Sequence, residues 1–559
     1  MNIVFWKNKI PLTSEEKRTR NKDRTLLVVS GILLAVSFPP VPFPAPILLF
    51  IALIPYLFVI ETKQKLVELN RASYLMGFVF SLFTLYWVGS WQKEADPFLM
   101  ISGILLIFVN PVFFLIPSTL LYFSRQIFSK KAVIYFLPFF YIAYEYSYML
   151  TDLSFPWLSL GNGLALYTRF IQIADIIGQL GLTGIIVLIN VLLFNGLTNF
   201  KNEKLLSYAN FALTFLILLL ILIYGELRLN TEKQFVRKVK VGLIQPNLNP
   251  WEKWKATDLN ELTKVYLDLS QKAINKGAKI IIWPETALPV YLRSDLHKDI
   301  LESIHNFVDS NKIYLMTGMP DAKFFFNSQV IPEDAKFSKA NNYYYATYNS
   351  ILLLNPYNRY IESYGKVKLV PFGERVPFVD ALPFLGKIIK WGVGISGWNV
   401  GRDTTIFHLT TKNDSTESIY DTSRVAGLVC YESIYPAFAA EFVKRGVDFI
   451  AVVTNDSWYG NLSGPYQHKE FAVLRAVENR KAVVRAANGG ISCVINSLGI
   501  TEVQSEMFAE ASLVYDVLID DSNTFFTKNP LLIPLICLAF STWIIGIYIL
   551  KKIKNFFKL

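Results

Sequence analysis

The chain has 559 residues, of which 52% are hydrophobic and 15% aromatic, a composition typical of a protein with membrane-spanning helices rather than an ordinary soluble one. Its three cysteines, an odd number, provide no disulfide framework, and its four histidines lack metal-binding spacing, so we expect neither a metal nor another cofactor. Much of the net charge of +11 lies beside apolar segments, which argues against a nucleic-acid partner.

Seven apolar segments follow a basic N-terminal tail at residues 1–24, and an eighth lies near the C-terminus. Each approaches or exceeds the ~20 residues that cross a bilayer as a helix. The first is marginal, because it ends in a Ser-Phe-Pro-Pro sequence. A cleavable signal peptide is the alternative for the N-terminal part, but no small-residue cleavage site follows it. We predict transmembrane helices near residues 25–42, 44–61, 73–91, 98–123, 132–150, 175–198, 207–225 and 529–550.

Lys and Arg are distributed unequally between the two ends of these predicted helices. With the N-terminus in the cytoplasm, the tails and connections on that side carry 19 Lys and Arg, and the opposite short connections carry two. Because these residues favour the cytoplasmic side, we predict that both termini are cytoplasmic. The predicted order is a tail at 1–24, helices one to seven at 25–225, an extracytoplasmic domain at 226–528, and helix eight with a second tail at 529–559.

The segment between helices seven and eight alternates short β-branched apolar runs with helical patterns. This alternation predicts an α/β domain of sandwich type. Two of its connections are unusually apolar. Residues 322–345 contain Phe-Phe-Phe and Tyr-Tyr-Tyr, and residues 376–399 contain many Phe, Leu, Ile and Trp. These connections are either ordinary core or mobile lids that enter the outer leaflet, where aromatic residues are favoured.

Three polar residues that follow predicted strands are candidate catalytic residues. Glu285 follows Ile-Ile-Ile-Trp-Pro, Lys366 precedes Val-Lys-Leu-Val-Pro-Phe-Gly-Glu, and Cys430 ends an apolar run before Tyr-Glu. A thiol is mostly protonated at pH 7 and needs a base, and no histidine lies near these motifs, so a carboxylate is the natural candidate. A lysine and the backbone N–H after the cysteine would stabilise an oxyanion, and the product would be a thioester acyl-enzyme. Taken singly, each residue is also compatible with a structural role.

The order Trp-Pro-Glu, Tyr-x-Lys-x-x-Leu-Val-Pro-Phe-Gly-Glu and Cys-Tyr-Glu resembles the nitrilase superfamily. With seven spans before the domain and one after it, nearly the whole chain resembles the apolipoprotein N-acyltransferases of bacterial envelopes. The resemblance implies an αββα sandwich in which Glu285 is the general base, Lys366 the oxyanion and thiolate stabiliser, and Cys430 the nucleophile. It also implies supporting or substrate-binding roles for Glu374, Glu432, Tyr431, Trp254, Phe372 and Gly161.

The resemblance further implies a reaction and a location. Cys430 would accept a fatty acyl group from a membrane phospholipid and pass it to the N-terminal S-diacylglyceryl-cysteine of an apolipoprotein, the last step of lipoprotein maturation. The protein would be a monomer in the bacterial inner membrane, with its catalytic domain in the periplasm. The alternatives are a membrane-tethered amidase that uses water and a transporter or receptor with an inactive domain. The apolar connections argue against the first, and the intact triad argues against the second.

Four further residues receive a structural interpretation or remain open. We predict that His468 caps or hydrogen-bonds rather than reacts, and that Cys493 belongs to the core. Asp456, after another apolar run, is equally compatible with shaping the site and with ending a strand. Glu145 lies within the fifth predicted span, where an ionisable residue indicates a function.

Overall fold

The computed structural model describes residues 13–231, 237–254, 258–326, 331–339, 342–379, 397–412 and 420–557. The part of the second apolar connection at 380–396 therefore lies outside the described residues, as does the beginning of the N-terminal tail. Helices from both ends of the chain form one layer, and a two-sheet sandwich lies between them in sequence.

Ten α-helices, joined by short 3₁₀ turns, occupy residues 13–231. A helix satisfies its own backbone hydrogen bonds, which a bilayer requires of any segment that crosses it. A capping box between Thr13 and Glu16 begins the first helix. The helices are α1 (Ser14–Val36), α2 (Ile54–Thr62), α3 (Leu66–Leu85), α4 (Pro97–Phe113), α5 (Leu115–Arg125), α6 (Lys130–Val133), α7 (Leu137–Met149), α8 (Thr168–Ile171), α9 (Ala174–Asn199) and α10 (Lys204–Asn230).

The rest of the chain supplies the strands, the shorter helices around them and one long helix at the C-terminal end. The strands are β1 (Lys238–Gln245), β2 (Ile280–Trp283), β3 (Tyr314–Phe325), β4 (Lys336–Ser338), β5 (Tyr343–Leu354), β6 (Ile361–Gly365), β7 (Ile406–Lys412), β8 (Tyr420–Val429), β9 (Phe449–Thr454), β10 (Ala482–Ala487), β11 (Cys493–Ile495), β12 (Thr501–Gln504) and β13 (Ala511–Leu518). The helices are α11 (Pro250–Lys253), α12 (Leu259–Ile274), α13 (Lys298–Asn311), α14 (Pro436–Lys444), α15 (Ser463–Asn479), α16 (Phe525–Lys528) and α17 (Leu532–Phe556).

Six helical stretches among the described residues are long and apolar enough to cross a membrane. They coincide with six of the eight predicted spans. The two remaining predictions are the first span, 25–42, and the fifth span, 132–150. The first begins in the second half of α1, and the fifth is divided between α6, a 3₁₀ turn and the 13-residue α7. The six stretches are Ala45–Thr62, Leu66–Gly89, Pro97–Arg125, Ala174–Asn199, Lys204–Asn230 and Leu532–Phe556.

The strands form two sheets, and the predicted α/β sandwich is confirmed. One sheet has the order β13-β1-β2-β3-β5-β4, with β6 also paired to β5, and the other has the order β12-β11-β10-β9-β8-β7. The central strands β1, β2 and β3 are parallel, as are β8, β9 and β10. Parallel strands are covered on both faces, which explains why β2 and β9 are buried along their whole length.

Helices cover the outer face of each sheet. Leu262 and Tyr266 of α12, with Ile304 of α13, pack against β2 in one core cluster. A second cluster joins α14 and α15 to the other sheet and continues into the membrane helices. The carboxyl ends of the central parallel strands thus lie close to the helical layer.

Side chains from both parts of the chain are hydrogen-bonded across the contact between sandwich and helices. The amide oxygen of Gln467 accepts from Trp87 Nε1 at 3.0 Å and from Trp157 Nε1 at 2.7 Å, and its Nε2 donates to Pro39 O at 2.9 Å. These buried bonds fix the sandwich to the helices.

The first apolar connection extends the sandwich as a ribbon of β3, β4 and β5. Phe324, Phe326 and Tyr344 on it are 45%, 59% and 38% exposed, so ordinary core packing does not account for them. In the second connection, Trp398 is buried and Phe378 is exposed.

Candidate active site

Glu285 lies immediately after β2, and the close approach of a second strand fixes its position. Thr286 has a φ of +47°, and the N–H of Ala287 donates to Gly318 O at 2.7 Å. A Cβ atom at Gly318 would lie 2.5 Å from the Cα of Glu285, so only glycine permits this contact. The carboxylate of Glu285 is buried.

Lys366 follows β6 and is 1% exposed. Its ammonium lies 2.8 Å from Glu374 Oε2 and 3.4 Å from Glu285 Oε1. Burial by itself would lower the pKa of Lys366, but Glu374 and then Glu285 outweigh it and raise the pKa above its ordinary value. Lys366 is therefore a permanent cation between two carboxylates.

Asn349 of β5 completes this group, although sequence reasoning missed it. Its Nδ2 donates to Glu285 Oε1 at 2.7 Å and to Glu374 Oε1 at 2.8 Å. Its backbone carbonyl accepts from the backbone N–H of Lys366 at 2.8 Å. The sequence feature that could have identified Asn349 is a polar residue in the otherwise apolar half of a predicted strand. Glu374 is held further by the N–H of Val370, at 2.8 Å from Oε2.

Cys430 joins β8 to a 3₁₀ helix, Cys430–Ile434, and retains some solvent exposure. Its φ of +50° is rare for a residue with a side chain and turns the thiol out of the strand. Burial, and then the negative charge of Glu285, raise the pKa of the thiol well above its usual value, while Lys366 opposes them. The thiol is therefore protonated at neutral pH and requires a base.

Glu432 ties the cysteine turn to the lysine segment. Its Oε1 accepts from Tyr364 Oη at 2.7 Å and from the N–H groups of Val367 and Lys368 at 2.7 and 3.1 Å. Its Oε2 accepts from Val429 N at 2.8 Å. Burial raises the pKa of Glu432 despite these donors. The carboxylate of Glu432 thus holds the backbone before Cys430 and the backbone after Lys366 together.

The remaining predicted residues occupy different surroundings. Tyr431 is buried and donates to Ser154 O, in the helical part, at 2.7 Å. Trp254 follows α11, and its buried indole N–H has no acceptor among the described residues. Phe372 has a φ of +62° in the segment between Lys366 and Glu374. Gly161 lies apart from this group, in the helical layer, where its N–H donates to Thr183 Oγ1 at 2.9 Å.

A second buried group lies behind Cys430. His468 Nδ1 is 2.9 Å from Asp456 Oδ1, and Arg485 donates to Asp456 Oδ2 at 2.5 Å. Burial would raise the pKa of Asp456, but Arg485 and His468 hold it well below the usual range. Donor atoms of Cys430, Asp456 and His468 lie within 4.8 Å of one another, a spacing compatible with a metal ion. The guanidinium of Arg485 already supplies the positive charge that faces Asp456.

Both parts of the chain match known protein families. Residues 240–522 match the carbon-nitrogen hydrolase family, and residues 30–192 match the N-terminal domain of apolipoprotein N-acyltransferases.

Individual relatives match over almost the whole chain. An apolipoprotein N-acyltransferase from Chlorobaculum tepidum is 33% identical over 528 residues, or 93% of this chain and 96% of the relative. Another from Geobacter metallireducens is 31% identical over 91% of both chains. Among solved structures, an amidase of the nitrilase superfamily from Nesterenkonia is similar with a TM-score of 0.34 and 17% identity, over 51% of this chain and 94% of the amidase.

Proposed function

Since this chain belongs to the apolipoprotein N-acyltransferases, it is an enzyme that N-acylates lipoproteins, and we propose that Cys430, Glu285 and Lys366 perform the reaction. The observation that carries this proposal is the convergence of the three residues. They follow three different strands, and they share one buried group at the side of the sandwich that faces the membrane helices. The amidase alternative is not favoured, because the relatives match across the helical part as well.

The first half-reaction forms the acyl-enzyme. Glu285 takes the proton of the Cys430 thiol, and the thiolate attacks an ester carbonyl of a membrane phospholipid. Lys366 and the N–H of Tyr431 stabilise the negative oxygen of the tetrahedral intermediate. When the ester C–O bond breaks, the departing alkoxide takes the proton from Glu285. The products are a lysophospholipid and a thioester on Cys430.

The second half-reaction transfers the acyl group to the acceptor. The α-amine of the diacylglyceryl-cysteine attacks the thioester carbonyl, and Glu285 accepts a proton from the nitrogen. The C–S bond breaks, the Cys430 thiolate leaves and is reprotonated, and an amide remains on the lipoprotein. Both substrates are lipids, so a site beside the bilayer spares their extraction into water.

We further propose the eight-span topology and the domain boundaries predicted above. The segments α6, the 3₁₀ turn and α7 together occupy residues 130–149, long enough to cross the bilayer, and residues 25–42, the second half of α1 with the turn after it, supply the remaining span. Both termini then lie in the cytoplasm, and the sandwich lies in the periplasm beside the outer leaflet of the inner membrane. The protein acts as a monomer in this proposal, since all the reacting groups come from one chain.

Intact mass spectrometry tests the proposal. Purified full-length protein in detergent is incubated with phospholipid, beside Cys430→Ala. We expect the wild type to gain the mass of one fatty acyl group, the variant to gain none, and a diacylated lipopeptide to discharge the adduct. Discharge by water as fast as by lipopeptide would favour a hydrolase, and an adduct that forms without Cys430 would contradict the mechanism.

A further inference from the structure

We propose that His468 is a positioning residue for the oxyanion site: it holds the carbonyl of Cys430 and thereby directs the N–H of Tyr431 toward the reacting oxygen. The inference rests on the proposed role of Cys430 as the nucleophile. It assigns a task in the reaction to the buried group behind Cys430, for which the sequence indicated only capping or hydrogen bonding.

The carbonyl of Cys430 has two hydrogen-bond donors. Ser433 Oγ donates to it at 2.8 Å, and His468 Nε2 lies 3.1 Å from it. A carbonyl oxygen can only accept, so this contact is a hydrogen bond in the tautomer that carries its proton on Nε2, in which Nδ1 accepts from the guanidinium of Arg485 at 3.0 Å. The same Nε2 lies 3.0 Å from Ser433 Oγ. The two donors come from different elements, the 3₁₀ helix and α15, and together they fix the direction of the C=O bond.

The direction of this carbonyl determines the direction of an N–H group. The Cys430 carbonyl and the Tyr431 N–H belong to one planar trans peptide, in which the two bonds point in opposite directions. Tyr431 is the second residue of its helix, where an N–H has no intrahelical acceptor and is free to bind a ligand. With the carbonyl held on the side of His468, this N–H points away from His468. It is the donor that the proposed mechanism assigns to the oxyanion.

The peptide needs an external constraint because its backbone is strained. Cys430 has a φ of +50°, a conformation that residues with a side chain adopt only when their surroundings hold them there. Without the hydrogen bond from His468, the turn can relax toward commoner angles, and the peptide plane rotates with it. A donor displaced by a small rotation loses most of its effect on the transition state.

His468 is itself held by buried partners. Its Nδ1 lies 2.9 Å from Asp456 Oδ1, which also accepts from Thr454 Oγ1 at 3.1 Å. Arg485, with no exposed surface, binds Asp456 Oδ2 and donates to Ile491 O at 2.7 Å. The imidazole is therefore fixed at its Nδ1 end by the Asp456–Arg485 pair, whose guanidinium lies 3.0 Å from Nδ1, and offers its Nε2 end to the nucleophile's peptide.

A structural role alone and a positioning role predict different kinetics. Alkylation of Cys430 by iodoacetamide forms a C–S bond and releases iodide, and it needs the thiolate but no oxyanion donor. Acylation by a phospholipid needs both. A variant that only disturbs the thiol slows both reactions, whereas a variant that misdirects the Tyr431 N–H slows acylation selectively.

The test uses full-length protein in detergent and the variants His468→Leu and His468→Gln. We expect His468→Leu to lower the single-turnover acylation rate by about 30-fold or more, somewhat less than the loss of an oxyanion donor itself. Alkylation of Cys430, followed by peptide mass mapping, should stay within about threefold, since it involves no oxyanion. In His468→Gln an amide N–H can reach the position of Nε2, so part of the acylation rate should return. His305→Gln, the same exchange at a buried histidine of α13, is the matched control and should leave acylation unchanged.

Three results would overturn the inference: an equal loss of acylation and alkylation, an unchanged acylation rate in His468→Leu, or His468→Gln no faster than His468→Leu. If the wild type itself forms no adduct on Cys430, the proposed function fails and the inference fails with it. If the His468 variants do not fold, Ser433→Ala replaces them, because it removes the other donor to the same carbonyl. It should show the same selective loss of acylation, and an equal loss of both rates would again contradict the inference.

Discussion

Two carboxylates share one lysine and one amide in the buried group around Lys366. Glu374 Oε1 accepts from Lys366 Nζ at 2.9 Å and from Asn349 Nδ2 at 2.8 Å, and Glu285 Oε1 accepts from the same Nδ2 at 2.7 Å. Carboxylates this close repel each other unless a cation lies between them. Glu374 thus holds Lys366 in place, which leaves Glu285 available for its proposed role as the base.

Glu374→Gln tests this division of roles. The neutral amide keeps the shape but removes the charge that holds the ammonium, and its own NH₂ group repels Lys366 or Asn349. We expect the single-turnover acylation rate to fall by about 100-fold, the scale of one lost positioning contact. Thermal unfolding in detergent reports whether the fold persists. A rate within about threefold of the wild type would show that Glu374 is dispensable for holding Lys366.

Lys253 gives a prediction for pH dependence. It is 3% exposed, and its ammonium donates to Thr286 O, beside Glu285, at 2.7 Å. Burial lowers its pKa from 10.5 to about 8, against the opposing effect of Glu285. Between pH 8 and 10.5 the unfolded chain binds more protons at Lys253 than the native protein, so this group makes stability rise with pH across that window.

The variant Lys253→Met removes this contribution. The free energy of unfolding of the variant should exceed that of the wild type by the largest amount below pH 8. This excess should shrink by up to about 3 kcal/mol toward pH 10.5. Unfolding in detergent at several pH values, measured for both proteins, isolates Lys253 from other titrating groups. A difference between the two proteins that does not change with pH would contradict the lowered pKa.

The sequence predicted those site residues that lie in short motifs. Glu285, Lys366 and Cys430 each follow a strand, and the structure places them in one group. Asn349 was missed because it lies within a strand and only the pairing of β5 with β3 and β6 brings it to the site. His468 was read as structural because its contact with Cys430 spans 38 residues and depends on how α15 packs on the sheet.

At the scale of elements, a buried carboxylate of α7 organises the loop at residues 155–165. Glu145 of α7 accepts from Leu160 N at 2.9 Å and from Thr183 Oγ1 at 2.8 Å, and Thr183 Oγ1 in turn accepts from Gly161 N at 2.9 Å. The same loop carries Trp157, whose ring lies 5.7 Å from that of His468. Glu145 thus links the helical part of the chain to the surroundings of Cys430, which gives a structural reason for an ionisable residue in the fifth predicted span.

Gly161→Ala should disrupt this loop. The added Cβ would lie 2.3 Å from the backbone oxygen of Gln179 in α9, which a side-chain movement cannot relieve. Overpacking of this kind costs about 1–3 kcal/mol, so we expect a lower unfolding temperature in detergent and a slower acylation rate. Gly546→Ala in α17 is the matched control, because, within the part of the chain that the structure describes, no atom outside the backbone of its own helix lies within 4 Å of its added Cβ. Equal unfolding temperatures for the two variants would contradict the close contact at Gly161.

The predicted and observed elements differ where prolines interrupt an apolar run. The fifth predicted span, 132–150, contains Pro138, which a helix accepts readily only in its first turn, so α7 begins at Leu137. The prolines between Phe38 and Ile47 similarly end α1 at Val36 and leave a 3₁₀ turn before α2. Hydropathy located these segments, but it could not locate the breaks, which depend on backbone sterics.

At the scale of the whole molecule, buried ion pairs bind the sandwich to the helices. Arg480, after α15, lies 2.8 Å from Asp175 of α9 and donates to Gln172 Oε1 at 2.6 Å. Glu478 accepts from Gln179 N, also in α9, at 2.7 Å. Separating buried charged partners is costly, so the sandwich is not free to tilt away from the bilayer. The proposed active site therefore keeps a constant position relative to the helices.

The proposed orientation leads to a prediction for residues on opposite sides of the membrane. Leu296 in the sandwich is 88% exposed, and Asn202, in the connection between α9 and α10, is exposed as well. Each is replaced by cysteine in a Cys430→Ala background, whose other cysteines, Cys493 and Cys537, are buried. In intact spheroplasts a charged, membrane-impermeant maleimide should label Leu296→Cys. It should label Asn202→Cys only after the membrane is permeabilised.

The physical basis of this prediction is the distribution of cations. Lys201 and Lys204 flank Asn202, and Lys551, Lys552 and Lys554 follow the last span, so reversing the orientation would carry all of these charges across the membrane. Labelling of Asn202→Cys in intact spheroplasts would contradict the proposed topology and place the acyl-transfer site on the cytoplasmic face. Labelling of both residues only after permeabilisation would contradict it too, since an odd number of spans must separate them.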